Sequence, residues 1–179
     1  IMSKNEIEKI WNNEVDLPYR DKVEKLQSYF VSMDNGEVEK PDFIESIETE
    51  DNCDKVVYPS WTEYKHAATD DLYVREINCP KDKIIFSVIH KKPNPLFLLS
   101  GKILISSEDG IKEVTAPTYI LTEPGIKRII LVLEDVKAVT VHPNITKTKD
   151  LDKIDNELFA CNWHEFNEDA SKDIWQVIK

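Results

Sequence analysis

The chain has 179 residues, 41% of them hydrophobic and 32% charged, which suits one globular domain with modest extensions and excludes a wholly disordered protein. Its 23 Lys and Arg against 34 Asp and Glu give a net charge of -11, so we expect no nucleic-acid partner and no attraction to an anionic membrane. No apolar run could span a bilayer, and residues 1–20 do not resemble a signal peptide, which predicts a soluble, cytoplasmic protein.

Cysteine and glycine usage excludes several enzyme classes. The three cysteines are widely spaced and form no paired zinc motif, so we expect free thiols. The chain has only four glycines, too few in any one place for a glycine-rich phosphate loop or a dinucleotide-binding fingerprint. No serine has glycines two residues to either side, as the nucleophile elbow of a hydrolase requires.

The first third of the chain predicts two helices followed by an acidic connection. Apolar residues recur at three- and four-residue spacing over residues 4–14 and 20–33, on either side of Leu17-Pro18. Residues 35–58 are rich in Asp and Glu and poor in aliphatic residues, so we expect a surface connection with weak local structure.

The middle of the chain predicts an all-β domain. Short β-rich segments are separated by Pro, Gly, Asn and Asp, with tight turns expected at Ser100-Gly101 and at Glu108-Asp109-Gly110. Eight such segments match the double-sheet jelly roll. They are Leu72–Ile77, Ile84–His90, Leu96–Leu99, Lys102–Ser106, Ile111–Thr115, Tyr119–Leu121, Lys127–Leu133 and Val136–His142.

The predicted organisation has three parts. Residues 1–69 form a helical and acidic extension packed on the barrel, residues 70–143 form the jelly roll, and residues 144–179 form a tail that ends in a helical stretch. Many aromatic residues lie outside the barrel, and open sheet edges favour pairing, so we expect a homo-oligomer, most simply a dimer. These aromatic residues are Trp11, Phe30, Trp61, Phe159, Trp163, Phe166 and Trp175.

The framing glycines of the middle segment resemble those of the cupin superfamily. With the first cupin motif anchored on Gly101, its glutamate position falls on Asn94 and its two histidine positions on Val88 and His90. With the second motif anchored on Gly125, its metal-binding histidine position falls on Arg128. The resemblance covers about residues 70–143 and implies a cupin-like jelly roll, although three of the four metal ligands are replaced.

A narrower resemblance is to uncharacterised cupin-like proteins encoded by tailed phages. It is carried by five short segments spread through the barrel, and it implies a location in the host cytoplasm or the virion without implying an activity. Those proteins commonly have a histidine where this chain has Asn94. The segments are Leu72–Ile77, Ile89–Lys91, Ser100–Lys102, Pro124–Arg128 and Leu133–Val136.

The replaced ligands predict a pocket without a metal cofactor. Val88 and His90 alternate on one strand, and the cupin resemblance points both inward, where Asn94 and Arg128 would converge with them. One imidazole with an amide and a guanidinium cannot hold a transition metal, and a permanently cationic arginine repels one. We therefore expect these four residues to form a site for a small anionic ligand, since arginine matches carboxylate and phosphate.

Two structural alternatives remain open at this stage. Arg128 is either a ligand anchor or the partner of an internal carboxylate such as Glu76, Glu123 or Glu134, with His90 a hydrogen-bonded core histidine. His142 either reaches the same region or, as we favour, simply ends the last strand. His66 and His164 lie in segments expected outside the barrel, and we predict no role for them.

Two classes of function remain. The first is a non-enzymatic protein that binds a small ligand or serves as an assembly or interaction scaffold, and the sequence favours it. The second is a cupin enzyme, either metal-dependent or a metal-free isomerase with His90 as general base. No carboxylate can be placed beside His90 from spacing to orient it, and the fold alone decides nothing because cupin-like barrels support many reactions.

Overall fold

The computed structural model describes residues 3–34, 48–51 and 61–167. It is mostly antiparallel β-structure with helices toward both ends, as expected, and none of the helices in those ranges is long and apolar enough to cross a membrane. The helices are α1 Lys4–Trp11, α2 Tyr19–Asp34 and α3 Leu151–Leu158. The strands are β1 Glu48–Asp51, β2 Glu63–Ala68, β3 Leu72–Cys79, β4 Lys83–Phe86, β5 Ile89–His90, β6 Asn94–Ser107, β7 Gly110–Thr115, β8 Thr118–Thr122, β9 Ile129–Pro143 and β10 Phe159–Ala160.

The two N-terminal helices confirm the sequence prediction and pack on the sheet. Ser3 and Glu6 form a reciprocal cap at the start of α1, since each backbone N–H donates to the other side chain. The apolar faces of α1 and α2 bury a core against β4, β9 and the segment after β10. That core holds Ile7, Ile10, Val23, Leu26, Tyr29, Phe30, Ile84, Phe86, Ile89, Ile129, Ala160 and Trp163.

The sheet is built around β9. Its neighbours are β3 and β4, with β2 beyond β3 and β1 beyond β4, and β6 also pairs with β9 while carrying β7 and β8. All these pairs are antiparallel except β1 with β4, and β5 and β10 form a separate two-stranded sheet. Within the described residues the main sheet has eight strands, but they are not the eight that the sequence predicts.

Two of the predicted strand boundaries are wrong because β6 and β9 are long strands. The predicted turn at Ser100-Gly101 lies within β6, which pairs with β9 on both sides of a local irregularity. Gly101 has a φ of +86°, and a Cβ there would overlap the backbone carbonyl oxygen of Asp135. The glycine therefore marks a bulge and a close approach of two strands. The second predicted turn, before Gly110, is confirmed.

Other predicted boundaries also differ from the structure. The predicted strand Ile84–His90 is interrupted at residues 87–88, and β1 and β2 lie in the segment predicted to be helical or weakly structured. The sequence pattern did not predict β1 and β2 because both strands are short and polar. They are strands because they pair with β4 and β3, respectively. Helix α3 was also missed, although Asp150 caps it by accepting from the Lys153 backbone N–H.

The C-terminal part of the described chain packs back onto the sheet. Helix α3 and β10 bury Ile154, Leu158 and Phe159 against Tyr73 and Val88. Most of the aromatic residues that suggested an oligomer therefore pack within the chain. Phe30 and Trp163 are buried in the core formed by α1 and α2, and Trp11 and Phe166 pack against it. Trp175 and the predicted terminal helix lie outside the described residues, as does most of the predicted acidic connection. Cys79 and Cys161, the two cysteines that the structure describes, form no disulfide with each other.

Candidate functional site

A cavity of about 110 Å³ lies inside the sheet, and all four residues predicted from the cupin frame line it. Val88 and His90 come from the end of the β4–β5 segment, Asn94 begins β6, and Arg128 directly precedes β9. The structure thus brings the four together, and their role in binding a ligand stays a prediction. Apolar side chains complete part of the wall, namely Ile77, Ile85, Leu96 and Ile130.

The pairing of distant strands places further polar residues in the same wall. Arg75 on β3 is directly opposite Thr140 on β9, and Thr140 is opposite Leu96 on β6. Asn94 on β6 is opposite Thr122 on β8. Directly opposed residues share a face of the sheet, so side chains from two neighbouring rows on four strands face the cavity.

Arg128 is held by two short contacts. Its Nη1 donates to the Thr122 hydroxyl at 2.7 Å, and its backbone N–H donates to Ser87 Oγ at 2.8 Å. Burial lowers the pKa of Arg128 from its ordinary value, but the guanidinium remains cationic at neutral pH. The side chain is therefore a partly buried positive charge whose described hydrogen-bond partner is neutral.

The alternative in which Arg128 pairs with an internal carboxylate is not what the structure shows. Glu76 faces away from the cavity and bonds Lys137 at 3.3 Å and Lys65 at 3.4 Å, while Glu134 lies 3.8 Å from Lys102. No carboxylate of the described ranges lies within salt-bridge distance of Arg128. Acidic residues are likewise absent from the described lining of the cavity.

Arg75 is a second arginine in the cavity, and sequence analysis missed it. It is 8% exposed, and its guanidinium carbon lies 5.2 Å from the ring centre of Phe159 and 6.0 Å from that of Tyr64. It makes no hydrogen bond or ion pair with any residue that the structure describes. The sequence does contain a signal for the inward position of Arg75. Tyr73, Arg75, Ile77 and Cys79 are every second residue of β3, so Arg75 lies on the same, inward face as its apolar neighbours.

His90 and His142 form a stacked pair beside the cavity. Their ring centroids are 5.6 Å apart with planes 2° from parallel, and Phe159 packs edge-on against both. Burial first, then nearby positive charges including Arg75 and Arg128, hold the pKa of His90 well below its ordinary value. Burial and the charge of Arg75 lower the pKa of His142 to about 3. Both imidazoles are therefore neutral at pH 7.

The other two histidines differ in their relation to this pair. His66 lies on β2, within the sheet and not outside it as expected, and its Nδ1 is 2.7 Å from the Tyr73 hydroxyl. Tyr73 in turn packs against His142, with ring centroids 5.8 Å apart. His142 both lies near the end of β9 and reaches the site, so the expectation that it only ends the strand is wrong. His164 is exposed, away from the cavity lining.

Several buried polar atoms of the cavity residues have no hydrogen-bond partner among the residues that the structure describes. A buried polar group without a partner is destabilising by roughly 1–3 kcal/mol, so native proteins rarely leave several together. These atoms are Arg75 Nε, His90 Nδ1 and Nε2, Asn94 Oδ1 and Thr140 Oγ1.

The residues at this site do not fit the metal centre that the cupin resemblance of the sequence implies. Among the described residues, no group of three His, Cys, Asp or Glu side chains is placed to hold a metal ion. The cavity wall offers one imidazole together with an amide, four hydroxyls and two guanidinium groups, and the cations would repel a divalent ion.

No protein-family model matches the chain, and no curated protein matches it significantly. Solved structures that resemble it include an RmlC-like cupin family protein from Methanocaldococcus jannaschii, with TM-score 0.41 and 11% identity, covering 46% of this chain and 79% of that one. An RmlC-like cupin from Shewanella frigidimarina has TM-score 0.43 and 12% identity, with coverage of 51% and 81%. The polyketide cyclase RemF from Streptomyces resistomycificus has TM-score 0.42 and 14% identity, with coverage of 48% and 66%. A likeness of this size indicates no activity, and the resemblance to phage proteins stays a prediction.

Proposed function

We propose that this protein binds a small anionic organic molecule in the cavity, with Arg75 and Arg128 as its cationic anchors. The observation that carries the proposal is the presence of two arginines in the wall of a cavity whose described lining contains no acid. A charge withdrawn from water is destabilising unless it is paired, so buried Arg75 and partly buried Arg128 both favour an anion between or beside them. Guanidinium also matches the geometry of carboxylate and phosphate groups.

The charge of the site opposes the charge of the whole molecule. The chain carries a net charge of -11, and its exposed acidic residues repel anions at long range. Arg75 and Arg128 are the ionised groups of the described cavity lining. His90 and His142, which lie beside them, are neutral. The attraction is therefore local, and it acts where salt screens little.

A catalytic role for His90 is the weaker alternative. A general base works best when its pKa lies near the working pH. Burial together with the neighbouring cations lowers the pKa of His90 well below its ordinary value and so away from neutral pH. Both of its ring nitrogens also lack a partner among the described residues, so no carboxylate of those residues orients the imidazole. These features favour a binding protein over an isomerase.

The assembly or interaction role rests on a different surface. Apolar side chains on the outer face of β6 and β8 are exposed, namely Phe97, Leu99, Tyr119 and Leu121. This surface, which we call the β6–β8 outer face, lies on the side of the strands away from the cavity residue Asn94. A scaffold role and a ligand-binding role are therefore compatible in one molecule.

Binding of propionate and of propionamide to the purified protein tests the anion proposal. The two molecules have nearly the same shape and differ in charge, so titration calorimetry should detect propionate binding and at least about tenfold weaker binding of propionamide. Arg128→Met and Arg75→Met should each abolish the preference for propionate. Equal binding of the two compounds, or no binding of either, would overturn the proposal.

A matched control separates the cavity arginines from arginine content in general. Arg20 is an exposed arginine at the surface, paired with Glu108 at 3.0 Å and stacked over Trp163. Arg20→Met should leave propionate binding unchanged. If this variant loses binding as fully as Arg128→Met does, the anion is bound by the general surface charge and not by the cavity.

A further inference from the structure

We propose that the ligand is a small hydroxy acid, whose hydroxyl group donates to Asn94 Oδ1 while its carboxylate meets the arginines. This inference rests on the proposed function and adds the chemical class of the ligand. Its starting observation is that the cavity holds unpartnered acceptor atoms as well as donors, which a simple carboxylate cannot satisfy.

The donors and acceptors of the wall can be sorted by chemistry. Arg75 Nε–H and the free capacity of the Arg128 guanidinium donate, and a carboxylate accepts from both. Asn94 Oδ1 only accepts, and it is buried in a residue that is 1% exposed. A carboxylate has no hydrogen to give this oxygen, so a second, donating group on the ligand is needed.

The imidazole of His90 imposes the same requirement. A neutral imidazole has one donor nitrogen and one acceptor nitrogen, and neither has a partner among the residues described. Thr140 Oγ1 is also unpartnered and can donate or accept. A hydroxyl group, which donates one hydrogen and accepts others, complements this set better than an apolar group does.

An ammonium group in place of the hydroxyl is disfavoured. Such a cation would enter a wall that contains two arginines and, as far as the described lining extends, no acid to neutralise it.

The size of the cavity limits the ligand further. An apolar cavity of ~150 Å³ admits benzene, so a cavity of about 110 Å³ suits a somewhat smaller molecule of a few carbons.

The test compares three molecules on one carbon skeleton: propionate, lactate and alanine. Lactate, which adds a hydroxyl to propionate, should bind at least about tenfold more tightly by titration calorimetry, because it supplies the donor that the wall lacks. Alanine should bind no better than propionate. Equal affinity of lactate and propionate, or tighter binding of alanine than of lactate, would overturn the hydroxy-acid inference while leaving the anion proposal intact.

Two variants locate the hydroxyl. Asn94→Leu removes the acceptor with little change of volume, so the ratio of lactate affinity to propionate affinity should fall to about one in this variant. Thr140→Val, which removes only a hydroxyl, provides a second conservative change and should reduce the lactate preference in part. If Asn94→Leu keeps the full preference for lactate, the role of Asn94 is wrong. If neither compound binds to the wild-type protein, the anion proposal itself fails.

Discussion

His90 and His142 lie with their ring planes 2° from parallel and their centroids 5.6 Å apart, in the part of the molecule where Arg75 also lies. Neither ring forms a salt bridge with a carboxylate of the described residues, and each has at least one buried nitrogen without a partner there. Two neutral imidazoles tolerate this stacking, whereas a proton on either would place a third positive charge beside the arginines. The pair should therefore make the fold sensitive to acid.

The pH dependence follows from the lowered pKa values. Unfolded histidines take up protons near pH 6.5, while folded His142 does so only near pH 3, so the unfolded state binds more protons between these values. Stability is retained above pH 6.5 and falls as pH decreases through this window, by about 1.4 kcal/mol per pH unit for each such histidine. When the pH is lowered from 6.5 to about 5, the free energy of unfolding should fall by about 2 kcal/mol less in His142→Phe than in wild type. Chemical denaturation at the two pH values measures this difference. Identical pH profiles for His142→Phe and wild type would contradict the prediction.

Replacement of Arg128 should have little effect on stability. Arg128→Met leaves the Thr122 hydroxyl without its donor but also removes a partly buried charge that has no described salt-bridge partner, so we expect a loss below about 2 kcal/mol. Breaking a buried ion pair would instead destabilise the protein by roughly 3–5 kcal/mol. Thermal denaturation distinguishes the two, because each kcal/mol shifts the midpoint by about 2–4 °C. A fall of more than about 10 °C would indicate a carboxylate partner.

Gly101 should be far less replaceable than Gly110. Both have positive φ, +86° and +105°, but a Cβ at Gly101 overlaps the Asp135 carbonyl oxygen, whereas a Cβ at Gly110 meets nothing within 4 Å. Gly110→Ala should therefore show only the backbone strain of about 1 kcal/mol, while Gly101→Ala should lose about 3 kcal/mol or more because β6 and β9 must separate. Urea denaturation of the two variants measures the difference, and equal losses would show that the strands are not held this closely.

The purified protein should contain no stoichiometric transition metal at this cavity. The wall supplies one imidazole and two guanidinium groups, which is a poor donor set for zinc, iron, manganese or nickel. Elemental analysis after dialysis is the measurement. Near-stoichiometric metal that disappears in His90→Ala would contradict the prediction, whereas metal that persists in that variant is bound elsewhere and leaves it intact.

Self-association remains a prediction, but its structural basis changes. The aromatic residues that suggested it are largely buried within the chain, while the β6–β8 outer face is exposed, with Tyr119 69% and Leu121 56% accessible. Strand β8 pairs only with β6 among the described strands, so its other edge can pair with a second copy.

Light scattering with size-exclusion chromatography should give twice the monomer mass at micromolar concentration. Tyr119→Lys should shift the equilibrium to monomer, because a charge on an apolar interface is costly to bury. Ile145→Lys, at an exposed apolar residue of a turn after β9, is the matched control and should remain dimeric. A monomeric wild-type protein would contradict the prediction.

The parts of the fold that depend on local sequence could be predicted. The periodicity of apolar residues indicated α1 and α2, and the turn before Gly110 was recognised from its composition. The four residues were predicted together from the spacing of the two cupin-like motifs around Gly101 and Gly125, and all four line the cavity. Val88 and His90 line the cavity even though the predicted strand that contains them is broken at residues 87–88.

The parts that depend on pairing between distant strands could not be predicted. Arg75 and Thr140 face each other because β3 and β9 pair in one register, and no local pattern contains that register. The same limit explains why β6 and β9 were each divided in two. Gly101 looks like a hairpin glycine when read alone, and only the adjacent Asp135 backbone reveals the close approach of the strands.

The pairing of β5 with β10 places Phe159 opposite His90, and it has a consequence for the order in which the site can form. Phe159 also packs under Arg75, and the backbone N–H of Lys91 donates to the Leu158 carbonyl, so α3 and β10 support one side of the cavity. During synthesis these residues leave the ribosome after every strand of the main sheet. A nascent chain that already contains all the described residues of the cavity wall therefore still lacks the contacts that support Arg75 and His90. The proposed ligand site is complete only when almost all of the described chain has been synthesised.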